Sequence, residues 1–476
     1  MLECTFLGHQ GWMFATSGAR ILVDALLVEP FGHGGGVGMV WPPRQLDIAA
    51  MPPIDAAVFT HEHEDHFNIP TVNRLSRDIP VYIPERSSSA MRQFLKEAGF
   101  TVHTLAPGQT LQLADLHFTV FTPDHVRHDE QDEWETMPFL VQDTKDGGSY
   151  FSAVDVTVSA AIEAQLRQRG VAPGLWCYAN NVMNMSFQEM PPRRAPAQLP
   201  IIARFVTDHI SRPPPPLASV MCGGGFSFTG SRQWMNHGFF PLDSENLFEG
   251  LQKLAPEERF IAPAPGGRIT VAKDRIVSVE EASPFLRTLP KKEWPDRSYS
   301  PAKITPGTVE PASGRLDLQP GELEELTERL AGFAEFLYGS PLFRALYSMS
   351  GAAKPKPRFA ISAATDTADH VFEYDPSAGR FELLKQKAQL ADYAAGTECF
   401  AGDLLDFLRG KIAPSALMFG RLSRWRGGAE NLIPAIDRAI WIYGHPLRRQ
   451  AQHLDLYRAL YAQEPKETPK VEGRKR

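Results

Sequence analysis

Short apolar runs separated by turn residues open the chain. Glu3 to Leu7, Trp12 to Ala15 and Ile21 to Asp24 predict three strands of a meander that feeds a larger sheet. The run Ala56-Ala57-Val58-Phe59 predicts a buried strand, Pro70 to Leu75 a short helix, and Val81 to Ile83 another strand. From Ser88 to Ala98 the apolar residues Met91, Phe94 and Leu95 recur at helical spacing, which predicts an amphipathic helix. Val102 to Leu105, Thr110 to Leu113 and His117 to Thr122 follow as strands. This alternation places the N-terminal part of the chain in the α/β class.

The pattern then breaks at Pro191, Pro192, Pro196, Pro200 and Pro213 to Pro216. Tetraproline cannot enter a helix or sheet interior, so residues 191–240 read as a Pro-rich insertion or lid at the active face. Proline, lysine and glycine cluster again in 291–320, which reads as a linker after a first domain of 1–290. Beyond it, Leu323, Leu326, Leu330, Phe333 and Leu337 line one face of a predicted helix, Gly321 to Tyr338. Strands are predicted at Phe359 to Ser362, His370 to Tyr374 and Arg380 to Leu384, with helices at Cys399 to Arg409 and Leu432 to Tyr443. Residues 321–462 therefore read as a C-terminal α+β accessory domain, and 463–476 as a basic tail that dangles in solvent.

Composition narrows the function classes. At 476 residues two domains are the default, and 43% hydrophobic with 22% charged residues is globular composition. A formal net charge of -7 offers no broad basic surface for nucleic acid. No stretch approaches the ~20 apolar residues of a membrane span, and Met1 to Cys4 runs directly into a strand without a signal peptide, so a cytoplasmic location is expected. Cys4, Cys177, Cys222 and Cys399 lack any C-x-x-C or C-x-H spacing and read as buried thiols.

The chemistry is concentrated in Thr60-His61-Glu62-His63-Glu64-Asp65-His66. Three of the chain's 14 histidines fall within six residues, directly after the buried strand. A tight loop at a strand end can aim His61 and His63 at one metal ion and Asp65 and His66 at a second. Imidazole with carboxylate suits Zn²⁺, Fe²⁺ or Mn²⁺. The glycine-rich Gly32 to Gly38 lacks the Lys-Ser/Thr of a phosphate loop and reads as a mobile loop at the rim.

His61 to His66 resembles the H-x-H-x-D-H signature of the metallo-β-lactamase superfamily. Leu7-Gly8-His9-Gln10-Gly11-Trp12 and Ala19 to Asp24 are similar to the first hairpin of the branch containing ascorbate-6-phosphate lactonases and CMP-N-acetylneuraminate hydroxylase. The resemblance runs over about residues 1 to 285 and implies an αββα sandwich. It also implies a further histidine, His125 in preference to His128, and a metal-bridging carboxylate, Asp155. In lactonase-type relatives a final histidine follows the helix and strand that correspond to Leu242 to Glu245 and Phe260 to Gly267, and none is present here. His237 is the candidate to act in its place, as ligand or substrate contact, and His9 is expected to support the ligands. The C-terminal domain is faintly similar to sterol-carrier-type lipid-binding domains, with an accessory or dimerisation domain, and hence a homo-oligomer, an equal reading.

Two divalent metals are thus expected, iron favoured over zinc or manganese. With iron, the residues imply an oxygenase or hydroxylase acting on a small-molecule metabolite. The absence of a Cys-x-His pair for a Rieske centre calls for an external electron donor, or for a substrate that supplies its own electrons. With zinc, a hydrolase of lactones, phosphoesters or amides is implied, Asp65 orienting the metal-bound water. A non-catalytic binding protein is the third reading. Trp12, Phe31, Trp41, Trp134, Trp234, Phe239 and Phe240 are candidates for a pocket or for core, and Arg193, Arg194 and Arg204 for an anion contact or plain surface.

Overall fold

The computed structural model describes the whole chain except residues 34–37, 124–134, 157, 159, 181–182, 185–188, 191–215, 243, 306, 308, 350–357, 386–389, 421, 427–431, 464, 466–467 and 475–476. Six strands of the first sheet come before residue 106: β1 (Leu2–Gly8), β2 (Gly11–Ala15), β3 (Arg20–Val23), β4 (Ala56–Val58), β5 (Val81–Pro84) and β6 (Val102–Leu105). Seven more follow: β7 (Thr110–Leu113), β8 (Leu116–Val120), β9 (Phe139–Asp143), β10 (Ser149–Ser152), β11 (Leu175–Ala179), β12 (Ala218–Cys222) and β13 (Phe260–Ile261). The chain then returns to the first sheet with β14 (Arg268–Val271) and β15 (Ile276–Glu280). The sheet orders are β15-β14-β1-β2-β3-β4-β5-β6 and β13-β12-β11-β10-β9-β8-β7.

Each sheet combines an antiparallel meander with parallel strands. β3, β4, β5 and β6 run parallel, as do β10, β11, β12 and β13. Their inner faces form one core, with Phe14, Ile21 and Val58 from the first sheet against Phe118, Phe139, Tyr150 and Val220 from the second. Each such side chain taken fully out of water contributes ~1.5–3 kcal/mol. On the outer face of the first sheet lie α1 (Ile69–Asn73) and α2 (Ser89–Glu97); on that of the second lie α3 (Ala160–Gln168) and α4 (Ser244–Leu254). The resulting layers are αββα, as expected. α2 starts where the Ser88 hydroxyl accepts from Met91 N–H at 3.1 Å, and it buries Ala90, Met91, Phe94 and Leu95.

The C-terminal half has its own core. α5 (Glu322–Gly339), α6 (Pro341–Met349), α7 (Ala401–Arg409), α8 (Pro414–Gly420) and α9 (Leu432–Tyr443) pack on a sheet of β16 (Phe359–Ala364), β17 (Asp369–Asp375), β18 (Arg380–Leu383), β19 (Ala395–Phe400) and β20 (Ser423–Arg426), whose edge is completed by the short strand Glu189–Met190 beside β20. Cys399 lies within β19 rather than starting a helix, because it and Ala395 pack into the core on the sheet face. All four cysteines are buried free thiols. No helix among the described residues is long and apolar enough to cross a membrane.

Three sequence boundaries are corrected by packing. The segment 191–240 read as insertion or lid contains β12, a fully buried strand between β11 and β13, so residues 218–222 are core. The stretch 291–320 is no free tether, since Val309 is buried with Phe228, Phe239 and Phe419. The basic tail does not dangle either. Val471 is fully buried, Ser76 N–H donates to Val471 O at 3.0 Å, and Arg474 N–H donates to Ile54 O at 2.9 Å. The tail supplies backbone donors and acceptors to loop ends of the first sheet that would otherwise lack partners.

The last helix, α10 (Gln450–Gln463), also leaves the accessory core and lies on α1 and α2. Tyr457 anchors it, fully buried against Phe67 and Phe94 at ring distances of 5.4 and 5.7 Å. Truncating it, Tyr457→Ala, is expected to cost about 3–5 kcal/mol of stability, read from the urea midpoint; a loss under about 1 kcal/mol would mean that the helix is not part of this core.

His453 on the same helix hydrogen-bonds through Nε2 to Gly444 O at 2.7 Å. Burial, opposed by that bond and joined by the His445 and Arg449 charges, holds its imidazole down to about 4. The unfolded chain binds this proton from the ordinary 6.5 downward and the folded chain does not. Stability from this group is therefore complete above about 6.5 and is lost as pH falls toward 4. His453→Gln should flatten denaturation midpoints over that window; an unchanged slope would exclude His453 as its source.

Candidate metal centre

The cluster forms where the parallel strands of both sheets end. β3 runs into Asp24, whose backbone takes φ +44°. Its carboxylate accepts from Thr60 N–H at 2.8 Å through Oδ1, and from Thr60 Oγ1 at 2.5 Å and His66 Nδ1 at 2.8 Å through Oδ2. The Thr60 hydroxyl, its proton directed to Asp24, meets His61 Nδ1 at 3.2 Å. Both imidazoles thus carry their proton on Nδ1, leaving the Nε2 lone pairs for a metal. The turn itself closes through His66 N–H and Phe67 N–H, both donating to His63 O.

From the second sheet, Asp155 arrives two residues after Ala153, following β10. Its Oδ2 lies 3.1 Å from His66 Nε2 and 3.4 Å from His61 Nε2, while Oδ1 accepts from Gln10. Asp65 Oδ2 is 2.8 Å from His9 Nε2 and 3.8 Å from His66 Nε2. Two ligand sets result, His61/His66/Asp155 and His9/Asp65/His66, with the ligand atoms of each within 4.8 Å of one another. His9, Asp24 and Val154 all hold positive φ. For a β-branched residue such as Val154 that conformation is strained, and here it precedes the carboxylate that the site needs.

Charge is balanced inside the cluster. Burial opposes ionisation of Asp155, but the His66 charge and the bonds from His61 and His66 pull its carboxyl well below the usual range. Asp65 is held low in the same way, by His66 and by its His9 bond. His66 is burdened by burial yet raised well above its ordinary value by Asp155, Asp65 and Asp24. His61 is pushed down by burial and by His66 and His63. Among the described residues the two buried Nε2 atoms, on His61 and His66, meet Asp155 at ion-pair distances and make no contact of full hydrogen-bond geometry. A divalent cation would satisfy both and neutralise the carboxylates, so the donor set fits a metal.

Glu62 and Glu64 face away and anchor the loop. Glu62 accepts from Ser88 N–H and, at 2.7 Å, from Ser88 Oγ; burial and the charge of Glu135 push its carboxyl up to about 7. Glu64 accepts from His33 N–H, and burial pushes it up to about 8.

Glu135 was not foreseen from the sequence. It is 1% exposed, its Oε1 lies 3.4 Å from Glu62 N, and Met137 N–H donates to Thr60 O at 3.0 Å, which lays this segment along the start of the histidine loop. Burial opposes its ionisation, and the charges of His445, His61 and His63 bring its carboxyl down to about 2. Among the described residues its Oε2 is buried without a hydrogen-bond partner. The only sequence signal was a lone Trp134-Glu135-Thr136 between a histidine-bearing loop and β9.

The structure brings together His61, Asp65, His66 and Asp155. His63 lies beside them, its ring 4.5 Å from that of His61. His125 and the alternative His128 lie outside the described residues, as do Trp134, Arg193, Arg194 and Arg204. His237 is not brought to the cluster. It sits on a single helical turn, Asn236–Phe239, with Nδ1 2.9 Å from Ser298 O, because that turn packs its Phe239 face inward. Trp12 is core between the sheets, whereas Phe31 and Phe226 pack against His9 at 5.9 and 6.2 Å.

Residues 19–173 match the model of the beta-lactamase superfamily domain. The N-terminal half of the chain carries the metallo-β-lactamase fold. Among solved structures it is similar to a possible metal-dependent hydrolase from Veillonella parvula, at 14% identity and a TM-score of 0.41, covering 57% of this chain and 100% of that one. It is also similar to an isothiocyanate hydrolase from Delia radicum gut bacteria, at 13% identity and a TM-score of 0.42, covering 57% and 99%. The diiron β-hydroxylase CmlA from Streptomyces venezuelae aligns at 17% identity and a TM-score of 0.37, covering 57% of this chain and 53% of that one. No curated protein matches the chain.

Asp24→Asn keeps an acceptor for Thr60 N–H but loses one for the His66 and Thr60 donors. It should weaken metal binding ~10–100-fold in a titration of the full chain. An unchanged affinity would remove Asp24 from the centre's support.

Proposed function

We propose that this chain is a metal-dependent enzyme with a dinuclear centre, and that with iron it oxidises a small-molecule substrate. The observation that carries this reading is Glu135. Its buried carboxylate, which feels the charges of His61 and His63, would supply with them a two-histidine, one-carboxylate set, a donor combination suited to non-haem iron with open positions. The second position draws on His66, Asp65 and Asp155, and Asp155 Oδ2, between the His61 and His66 nitrogens, is placed to be shared.

When bound, iron in such a centre supplies oxygen activation; the chain's own groups hold and tune it. Asp24 keeps the His61 and His66 protons on Nδ1. His9 holds Asp65 through its 2.8 Å contact and presents a ring backed by Phe31 and Phe226, an apolar wall that limits water beside the centre. Electrons come from an external donor, since the sequence has no Cys-x-His pair for a centre of its own. The absent final histidine, which lactonase-type relatives carry, favours the hydroxylase side of the resemblance. Zinc hydrolysis is the competing reading, supported by the imidazole-rich His9, Asp65 and His66 set, which zinc also accepts.

Protein purified from iron- and zinc-supplemented growth is expected to hold about two iron atoms per chain and to consume O₂ with a chemical reductant. Stoichiometric zinc without O₂ uptake would overturn the oxidative reading and leave the hydrolase. His61→Ala should abolish uptake at one position or more, measured as metal per chain; full metal content would reject the ligand assignment.

A further inference from the structure

The C-terminal half reaches into the metal centre. Trp441 on α9 and His445 just after it face His63, at ring distances of 6.0 and 6.4 Å. His445 is 6% exposed and its Nε2 is 3.4 Å from Glu135 Oε1. The turn is held from two sides: Leu447 N–H donates to His445 Nδ1 at 3.2 Å, and His453 Nε2 donates to Gly444 O at 2.7 Å. An N–H donated to Nδ1 requires a lone pair there, so in the neutral ring the proton sits on Nε2, the nitrogen that faces Glu135. That nitrogen is then a donor, not a metal ligand. Gly444 is required in this turn, since a Cβ would meet Pro414 Cγ at 2.4 Å and Phe407 at 2.8 Å.

We propose that His445 is the positioning residue for Glu135: its Nε2, at an ion-pair distance of 3.4 Å, restrains Oε1 and leaves the buried Oε2 as the ligating oxygen. The inference rests on the reading of Glu135 as a ligand. It makes the accessory domain an integral part of the centre, because its turn at Gly444-His445 orients a ligand contributed by the metallo-β-lactamase-fold half. The same turn is braced by α10, so the docking of that helix on α1 and α2 and the geometry of the ligand are mechanically linked.

The test uses the full-length, metal-free chain titrated with Co(II), followed by its visible absorption and by competition with a chelator, with the thermal midpoint of each metal-free variant as a check on folding. Wild type is expected to take up two Co(II). Glu135→Ala should lose one or weaken it strongly. His445→Ala and His445→Phe, the latter keeping ring volume without a donor, should bind two with one weakened ~10–100-fold. His445→Gln, which restores an N–H donor, should return to within a few-fold of wild type. Should His445→Ala lower the thermal midpoint, the Phe and Gln pair decides. Wild-type affinity in His445→Phe, or His445→Gln no better than His445→Phe, overturns the positioning role while Glu135 stands. Wild-type binding in Glu135→Ala overturns the ligand reading and the inference with it.

Discussion

A carboxylate buried at the end of β3 organises this molecule's chemistry. Asp24 is 2% exposed, and an ion so placed is tolerated only if its oxygens are filled with donors. They are filled by Thr60 N–H, Thr60 Oγ1 and His66 Nδ1. The same three bonds set the path of the loop, the tautomers of His61 and His66 and the direction of their free nitrogens. Stability and ligand geometry are therefore one requirement at this point, and the positive φ of Asp24 is strain that those bonds offset.

Both sheets bring side chains to the cluster. The first supplies the histidine loop; the second supplies Asp155 across the shared core. The third contributor is the C-terminal half, which adds His445, Trp441 and the helix that carries Tyr457. Tyr457 meets Glu62 Oε2 at 3.4 Å, so α10 is coupled to the loop as well as to the outer hydrophobic layer. Removing polar partners from so buried a network leaves charges unpaired, which costs more than the contacts themselves contribute.

The elements nearest the site were the most legible. Apolar runs of four or five residues followed by turn residues located β1 to β8 within a residue or two, and the helical spacing of Met91, Phe94 and Leu95 located α2. Segments with the same local chemistry but a different neighbour were misread. Val471 lies in a polar, basic stretch whose composition says tail, and only the unpaired backbone groups near Ile54 and Ser76 make it a strap. Ala218 to Cys222 follows tetraproline, whose stiffness says insertion, yet it fills a gap between β11 and β13.

By itself the sequence determined that His61, His63, Asp65 and His66 gather on one loop, because they are adjacent and follow a buried strand, so local geometry suffices to bring them together. It also determined Asp155 as a strand-end carboxylate. Only the tertiary structure decided that Glu135 and His445, 310 residues apart by number, meet beside His63, and that His237 turns to Ser298 instead. Such pairings depend on how separate layers dock. A chain encodes that docking in the shape and burial of whole surfaces, and no spacing between two residues records it.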